Sequence, residues 1–282
     1  MNGKISRRAV LAGLSLPLLV RPSFAQSAVT LDQLKSAGVI RVGLVNQPPY
    51  SGLNPDGTIG GFVPTLVQQI MAKLGVPNIE PYVATYGELI PGLQAGRWQM
   101  IAAAFRLTKE RCAQVAFTDP VTFDGGAIGY VAADTPTVPK TIKELAAGDA
   151  MIGVLQGSYL IKLAIDQGIP ENRLSQFPNN PAIIDGLTTG RVAAAISTNA
   201  ALRQLQTQRG GFDIVYPLSE DPPVGSAPAF ASGDTELHAA FQAELRALPK
   251  SGELTAMAQK FGFDPPPADL DGITADAACG AL

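Results

Sequence analysis

The sequence contains few of the residues on which most metal and redox sites depend. It has one histidine, His238, and two cysteines, Cys112 and Cys279, among its 282 residues. We therefore expect no metal site and no cofactor, and we place His238 on the surface of a helix predicted over residues 235–248. Aromatic residues make up only 6% of the chain, whereas there are 29 glycines and 23 prolines. This composition favours helices packed on sheets and joined by tight turns.

The sequence also lacks an apolar run long enough to span a membrane. The longest run, residues 9–20, follows a basic stretch with Arg7-Arg8 and precedes Ser23-Phe24-Ala25. A membrane-spanning helix needs roughly 20 apolar residues, so this pattern predicts a cleaved secretory signal over residues 1–25. The arginine pair is typical of twin-arginine signals, but such pairs also occur by chance, so Sec export stays open. We expect a soluble, periplasmic and monomeric mature protein.

Positive charge becomes scarce once this signal is removed. The chain has 21 Lys and Arg against 24 Asp and Glu, a formal charge of −3. The signal holds four bases and no acid, so the mature chain has 21 − 4 = 17 bases and a formal charge of −7. An acidic chain argues against nucleic acid and anionic lipid as partners.

Two segments of the chain, residues 92–105 and 186–199, resemble each other. Each has the pattern of a helix end, a glycine suited to a left-handed cap, an arginine and an apolar strand. We infer two α/β lobes of related topology, each a sheet flanked by helices, although chance similarity is the alternative. The predicted bounds are residues 26–123 plus 231–282 for a discontinuous first lobe and residues 124–230 for the second.

The two cysteines bear on how these lobes connect. An even cysteine count in an oxidising compartment favours a Cys112–Cys279 disulfide, with two unpaired thiols as the alternative. Such a bond would hold the C-terminal helices against the first lobe, so the chain would cross between the lobes twice and form a hinge. We expect the ligand in the cleft between the lobes, because open α/β sheets bind ligands beyond the carboxyl ends of their strands.

Loops that follow predicted strands should line this cleft. Arg106 and Arg111 lie in one of them, and guanidinium groups can grip a carboxylate or phosphate, although either residue could be an ordinary surface arginine. Ser158 begins a predicted helix whose N-terminus could bind an anion or be only capped. The complete set of candidate ligand-binding residues is Gln47, Tyr50, Tyr86, Phe105, Arg106, Arg111, Ser158, Tyr159, Asn180 and Thr198.

The tyrosines of this set have a different expected role. Tyr50 follows a Pro-Pro turn and Tyr86 precedes a predicted helix, so their rings could stack on a planar or cationic part of a ligand. Packing in the core or at the rim is the alternative.

We find no catalytic residues: no histidine lies near a candidate nucleophile, there is no Walker-type phosphate loop, and the acids form no evident pair. We therefore expect a binding protein rather than an enzyme.

Several motifs in order resemble the family 3 extracellular solute-binding proteins of ABC importers. They are Val39-Ile-Arg-Val-Gly43, Gly60-Gly-Phe62, Leu89-Ile-Pro-Gly-Leu-Gln-Ala-Gly-Arg97, Thr108-Lys-Glu-Arg111, Phe117-Thr-Asp-Pro120, Gly153-Val-Leu-Gln-Gly-Ser158, Ser251-Gly-Glu253 and Phe261-Gly262. The resemblance implies a small-molecule ligand, permease subunits as partners and a ligand carboxylate bound by Arg111 with Ser158 and Tyr159. The acid that usually holds the α-ammonium group is replaced here by Thr198.

A narrower resemblance is to ectoine- and hydroxyectoine-binding proteins. It rests on the run Tyr86–Arg97, on Glu110-Arg111-Cys112 and on a cysteine near the C-terminus. In those proteins aromatic rings surround a delocalised cation, but Arg106 stands here in place of one ring and Gln47 in place of an acid. These departures favour a ligand with more negative charge if Arg106 faces the cleft.

Three alternatives stay open beside this interpretation. Arg106 could instead point to solvent or pair with an acid such as Glu110. The protein could bind a polar amino acid, or it could be a cyclohexadienyl-dehydratase-like enzyme on the same fold. An acidic or basic side chain in the cleft without a salt-bridge partner would favour the enzyme.

Overall fold

The computed structural model describes residues 28–135, 137–221, 225–263 and 273–280. The predicted signal over residues 1–25 lies outside the described residues. Within the described ranges, no helix has both the length and the apolar character needed to cross a membrane.

The first sheet has five strands. Their order is β4 (Asn78–Val83), β1 (Val39–Leu44), β5 (Met100–Arg106), β12 (Ser226–Phe230) and β6 (Ala116–Phe117). β1 is parallel to β4 and β5, whereas β12 is antiparallel to β5 and β6. A short hairpin of β2 (Gly52–Leu53) and β3 (Ile59–Gly60) follows β1. Every residue of β5 is buried, as expected for a strand covered on both faces.

The second sheet also has five strands. Their order is β11 (Asp213–Val215), β7 (Gly126–Tyr130), β10 (Ala194–Thr198), β8 (Ile152–Leu155) and β9 (Leu174–Phe177). β8 is parallel to β9 and β10, and β7 is antiparallel to β10 and β11. Crossover connections through helices join the parallel strands, as parallel pairing requires.

Helices flank both sheets. Those before or between the strands of the first sheet, or after β12, are α1 (Leu31–Ala37), α2 (Phe62–Lys73), α3 (Tyr86–Gln94), α4 (Lys109–Cys112), α9 (Thr235–Ser251), α10 (Glu253–Lys260) and α11 (Ala275–Gly280). Those between the strands of the second sheet are α5 (Ile142–Ala146), α6 (Tyr159–Asp166), α7 (Asn180–Thr188) and α8 (Asn199–Arg209). The predicted α/β class with two sheets flanked by helices is confirmed.

The chain passes between the sheets twice, before β7 and before β12. The predicted return to the first lobe at residue 231 falls too late, because β12 already pairs with β5 and β6 of the first sheet. β12 is buried along its whole length, so it carries no alternation of apolar and polar residues that could assign it to one sheet. The crossing therefore lies before Ser226.

The single histidine is partly exposed on the predicted helix. His238 lies on α9 but is half-buried, with its Nε2 atom 2.8 Å from the carbonyl oxygen of Phe117. Its ring packs edge-on against Phe230, 5.6 Å between centroids. Among the described residues, no cluster of His, Cys, Asp and Glu could hold a metal ion.

The predicted disulfide between Cys112 and Cys279 is confirmed. The Cα atoms are 5.9 Å apart, and the bond joins α4 to α11 across 167 residues of sequence. The backbone N–H of Ala275 donates a hydrogen bond to the Asp119 carboxylate, 3.0 Å, and so also holds the start of α11 against the segment after β6. The C-terminal segment is thereby fixed beside Arg111, which precedes Cys112 in α4.

We expect titration of the denatured, unreduced protein to find no free thiol. Reduction should lower the free energy of unfolding by up to about 5 kcal/mol, since the bond closes a long loop in the unfolded chain. Ligand affinity should change little, because α4 and α11 both pack beside the first sheet. Cys112→Ser/Cys279→Ser should match the reduced wild type, and two titratable thiols in the native protein would contradict the bond.

Candidate ligand-binding site

A cavity lies where loops at the carboxyl ends of strands from both sheets meet. The centre of a water-sized sphere can occupy about 20 Å³ of it, and all space free of protein atoms, open solvent included, amounts to about 470 Å³. Its lining residues come from the carboxyl ends of β5, β8 and β10, from the segments after β1, β4, β5 and β8, from the segment before β7 and from β12: Gln47, Tyr50, Tyr86, Ala104, Arg106, Arg111, Asp124, Leu155, Ser158, Tyr159, Leu160, Ser197, Thr198 and Ser226. Eight of the ten predicted ligand-binding residues are in this set; Phe105 and Asn180 are not.

Arg111 presents a cation to this cavity. Its guanidinium lies 4.0 Å from the centre of the Phe105 ring and 5.8 Å from that of Tyr86. It donates hydrogen bonds to two carbonyl oxygens, of Arg106 at 3.1 Å and of Gly157 at 3.4 Å. Within the described part of the chain it forms no ion pair. Burial lowers the pKa of Arg111 to about 10, so the group still carries its charge at neutral pH.

Phe105 supports Arg111 from beneath instead of lining the cavity. Its side chain is buried and stacks on Tyr86, with ring centroids 6.2 Å apart and planes 7° from parallel. Successive side chains of a strand point to opposite faces, so Phe105 cannot share a face with its neighbours Ala104 and Arg106. The stacked rings fix the plane on which the guanidinium rests.

The N-terminus of α6 supplies a second polar group. Ser158 is the N-cap residue of this helix, and its buried Oγ atom has no hydrogen-bond partner among the described residues. Gly157, at φ +68°, passes so close to α3 that a Cβ atom there would lie 2.5 Å from the Gly87 nitrogen. A glycine is therefore required for the loop before α6 to approach α3.

Arg106 lines the cavity but already has an acidic partner. Its Nη2 atom is 2.6 Å from Asp221 Oδ1, and both side chains are buried, with 7% and 5% of their surface exposed. Its Nη1 atom donates to the carbonyl oxygen of Asp124 at 3.0 Å, and its guanidinium lies 4.7 Å from the centre of the Tyr159 ring. The acid is Asp221, not Glu110, which is exposed on α4. Because the charge of Arg106 is balanced, the expectation of a more negative ligand loses its basis.

Asp221 joins three segments of the chain. Besides Arg106 of β5, it accepts hydrogen bonds from the Tyr159 hydroxyl, 2.7 Å, and from the backbone N–H of Gly126 at the start of β7. Sequence reasoning missed this residue because it follows the last strand of the second sheet in a turn without periodicity. Burial, together with the negative charge of Asp221, raises the pKa of the Tyr159 hydroxyl, which therefore remains a donor.

Asp124 is a second acid that the sequence did not identify. It lies in the first crossing between the sheets and accepts hydrogen bonds from the Tyr50 hydroxyl and from the backbone N–H of Ala200, 2.8 Å. Burial raises the pKa of its carboxyl group, and burial beside this carboxyl raises the pKa of Tyr50. An acid just before Gly125-Gly126 in the crossing segment was the one signal available.

Gln47 and Thr198 contact each other across the cavity. The Tyr86 hydroxyl donates to Gln47 Oε1, and Gln47 Nε2 donates to Thr198 Oγ1 at 3.2 Å. Asn180 lies behind the wall: its buried Oδ1 accepts from Ser197 at 2.7 Å, and its Nδ2 has no hydrogen-bond partner in the described ranges. Gln47 and Thr198 stand at the two positions where related proteins are expected to have an acid, and here the two side chains hydrogen-bond to each other.

Comparisons with known proteins agree on one family. The family model for bacterial extracellular solute-binding proteins, family 3, matches residues 40–264. A probable amino-acid ABC transporter periplasmic-binding protein of Sinorhizobium fredii is 26% identical over 266 residues, 91% of this chain and 87% of that protein.

Two solved structures of binding proteins superpose on the chain. EhuB in complex with hydroxyectoine has a TM-score of 0.84 and 30% identity, covering 89% of this chain and 98% of that one. A mutant of ArgBP from T. maritima has a TM-score of 0.73 and 27% identity, covering 83% of this chain and 99% of that one.

Proposed function

Because this chain belongs to the bacterial extracellular solute-binding proteins, family 3, we propose that it captures a small polar solute bearing a carboxylate and delivers it to the permease of an ABC importer. The main support for this proposal is the position of Arg111. A largely buried guanidinium that lines a cavity and has no acidic partner among the described residues is suited to bind an anion. Cys112, the next residue, anchors its helix to α11.

The polar groups of the site favour a carboxylate as that anion. Arg111 offers one planar guanidinium, 4.0 Å from the centre of the Phe105 ring, and the guanidinium fork matches the two oxygens of a carboxylate. Ser158 adds an unpartnered hydroxyl at the start of α6, where the backbone N–H groups also favour negative charge. These groups come from opposite sheets, so a bound carboxylate would link them.

The relatives bear on the rest of the ligand. Two of them are named for amino acids or arginine, and one solved structure holds hydroxyectoine. An ectoine-like compatible solute or an amino-acid derivative would be consistent with both kinds of relative, and Tyr50 and Tyr86 would lie beside its ring or cation.

We propose further that the two sheets belong to two lobes, which close on the solute in the periplasm by bending at the two crossings.

A thermal-shift screen of the mature protein tests this function. The compounds are ectoine, hydroxyectoine, betaines, amino acids and small mono- and dicarboxylates. At least one carboxylate-bearing compound should raise the melting temperature in proportion to the logarithm of its concentration, as a ligand of the folded state must; at 100 times its Kd this amounts to about 2.7 kcal/mol. Shifts caused only by compounds without a carboxylate would contradict the proposal.

A second candidate function is supported by Asp124. It is a cavity-lining acid with a raised pKa and no basic partner in the described residues, which is what an enzyme on this fold would need for proton transfer. NMR spectra of any compound found in the screen, recorded after prolonged incubation with stoichiometric protein, separate the two functions. A binding protein should return the compound unchanged, whereas an enzyme should convert it.

A further inference from the structure

Three charged side chains among the described residues line the cavity: Arg106, Arg111 and Asp124. The charge of Arg106 is balanced within the protein by Asp221, 2.6 Å away. Arg111 and Asp124 form no ion pair with any described residue. The cavity therefore presents one cation and one acid to a ligand.

The partners of Asp124 do not cancel its charge. Its carboxyl group accepts hydrogen bonds from two neutral donors, the Tyr50 hydroxyl and the Ala200 backbone N–H. The positive Arg106 side chain is directed to the backbone carbonyl of Asp124 and to the Asp221 carboxylate. The carboxylate is half-buried, and a cation at its free lone pairs would stabilise it further than these neutral donors do.

Asp124 and Arg111 are also held apart. Arg111 rests on Phe105 beside α3 and the loop before α6, whereas Asp124 is held by Tyr50 of the loop after β1 and by the start of α8. Gln47 and Thr198 also line the cavity, but they hydrogen-bond to each other. Of the lining side chains, Asp124 is thus the acid available at a distance from Arg111.

We propose that Asp124 binds a cationic group of the ligand while Arg111 binds its carboxylate, so that the solute is a zwitterion. This inference rests on the proposed function and assigns the role of cation ligand to a residue of the crossing segment. A zwitterion leaves the closed cavity without net charge, because Arg106 with Asp221 and Arg111 with Asp124 each sum to zero. A dicarboxylate would place its second carboxylate in a cavity whose remaining charge is negative, which costs binding energy.

Matched pairs of carboxylates with and without a cationic nitrogen test this assignment by calorimetric titration. The pairs are L-proline with cyclopentanecarboxylate and pipecolate with cyclohexanecarboxylate, together with ectoine, hydroxyectoine and succinate. The wild type should bind the zwitterions at least about 30-fold more tightly than it binds succinate or the matched carboxylates that lack a cationic nitrogen. In Asp124→Asn the preference should fall to within about threefold.

The control is Asp166→Asn, which removes the same charge from an exposed pair with Lys162 on α6 and should keep the wild-type preference. Equal affinity of the wild type for both members of a pair, or an unchanged preference in Asp124→Asn, would overturn the assignment but leave carboxylate capture standing. If no carboxylate of either kind binds, the proposed function fails and the assignment with it. The wild-type comparison needs no variant, so it decides the question even if Asp124→Asn does not fold.

Discussion

Replacing Arg111 by alanine should weaken binding of the carboxylate-bearing solute by about 2–5 kcal/mol, which is roughly 30- to 5,000-fold in Kd. Much of this loss comes from the ligand carboxylate, which would stay in the cavity without its charged partner. The backbone carbonyls of Arg106 and Gly157 would also lose their donor, and as acceptors they would repel the anion. The affinity of Arg111→Lys should lie between those of the wild type and Arg111→Ala, because an ammonium keeps the charge but not the planar fork.

Calorimetric titration of wild type and variants with a compound found in the screen measures this effect. Arg97→Ala is the matched control, since Arg97 also stacks on an aromatic ring, that of Trp98 at 5.0 Å, but is exposed and does not line the cavity. It should bind like the wild type. An Arg111→Ala protein that melts as a folded domain and binds within threefold of wild type would remove Arg111 from the site.

The loops that line the cavity could be predicted because strand ends are recognisable in sequence. Alternating or continuous apolar residues predict strands, and the carboxyl ends of parallel strands share one edge of a sheet, so Arg111, Ser158 and Thr198 could be assigned to one cleft. Phe105 could not be assigned to a face in this way, because the sequence predicts a strand that ends at Phe105 and puts Arg106 in the following loop. In the structure β5 continues to Arg106, so the two side chains point to opposite faces.

The two aspartates of the cavity could not be predicted in the same way. Asp124 and Asp221 lie in segments that cross between the sheets, where no hydrophobic period indicates which way a side chain points. The partner of Arg106 is 115 residues distant in sequence, and a nearer acid, Glu110, was an equally reasonable candidate. Without the crossing geometry, the sequence does not show the acid that balances the charge of Arg106. It therefore predicts a ligand with more negative charge than the paired side chain calls for.

The buried pair of Arg106 and Asp221 should make Asp221 one of the most sensitive positions for stability. Asp221→Ala should lower the free energy of unfolding by about 3–5 kcal/mol, because Arg106 would stay buried without its counter-charge. The Tyr159 hydroxyl and the Gly126 N–H would lose their acceptor as well. Urea denaturation followed by circular dichroism measures the change. Asp185→Ala, which breaks an exposed pair with Arg209, should cost less than about 1 kcal/mol.

A double variant separates the missing counter-charge from the missing contacts of Asp221. Arg106→Met/Asp221→Leu removes both charges and fills the space with apolar side chains, which at other buried pairs is often neutral or stabilising. It should therefore be more stable than Asp221→Ala by about 2 kcal/mol or more, with the remaining loss due to Tyr159 and Gly126. If the double variant is as unstable as Asp221→Ala, the hydrogen bonds of Asp221 to the second sheet, and not the charge of Arg106, hold this part of the cavity together.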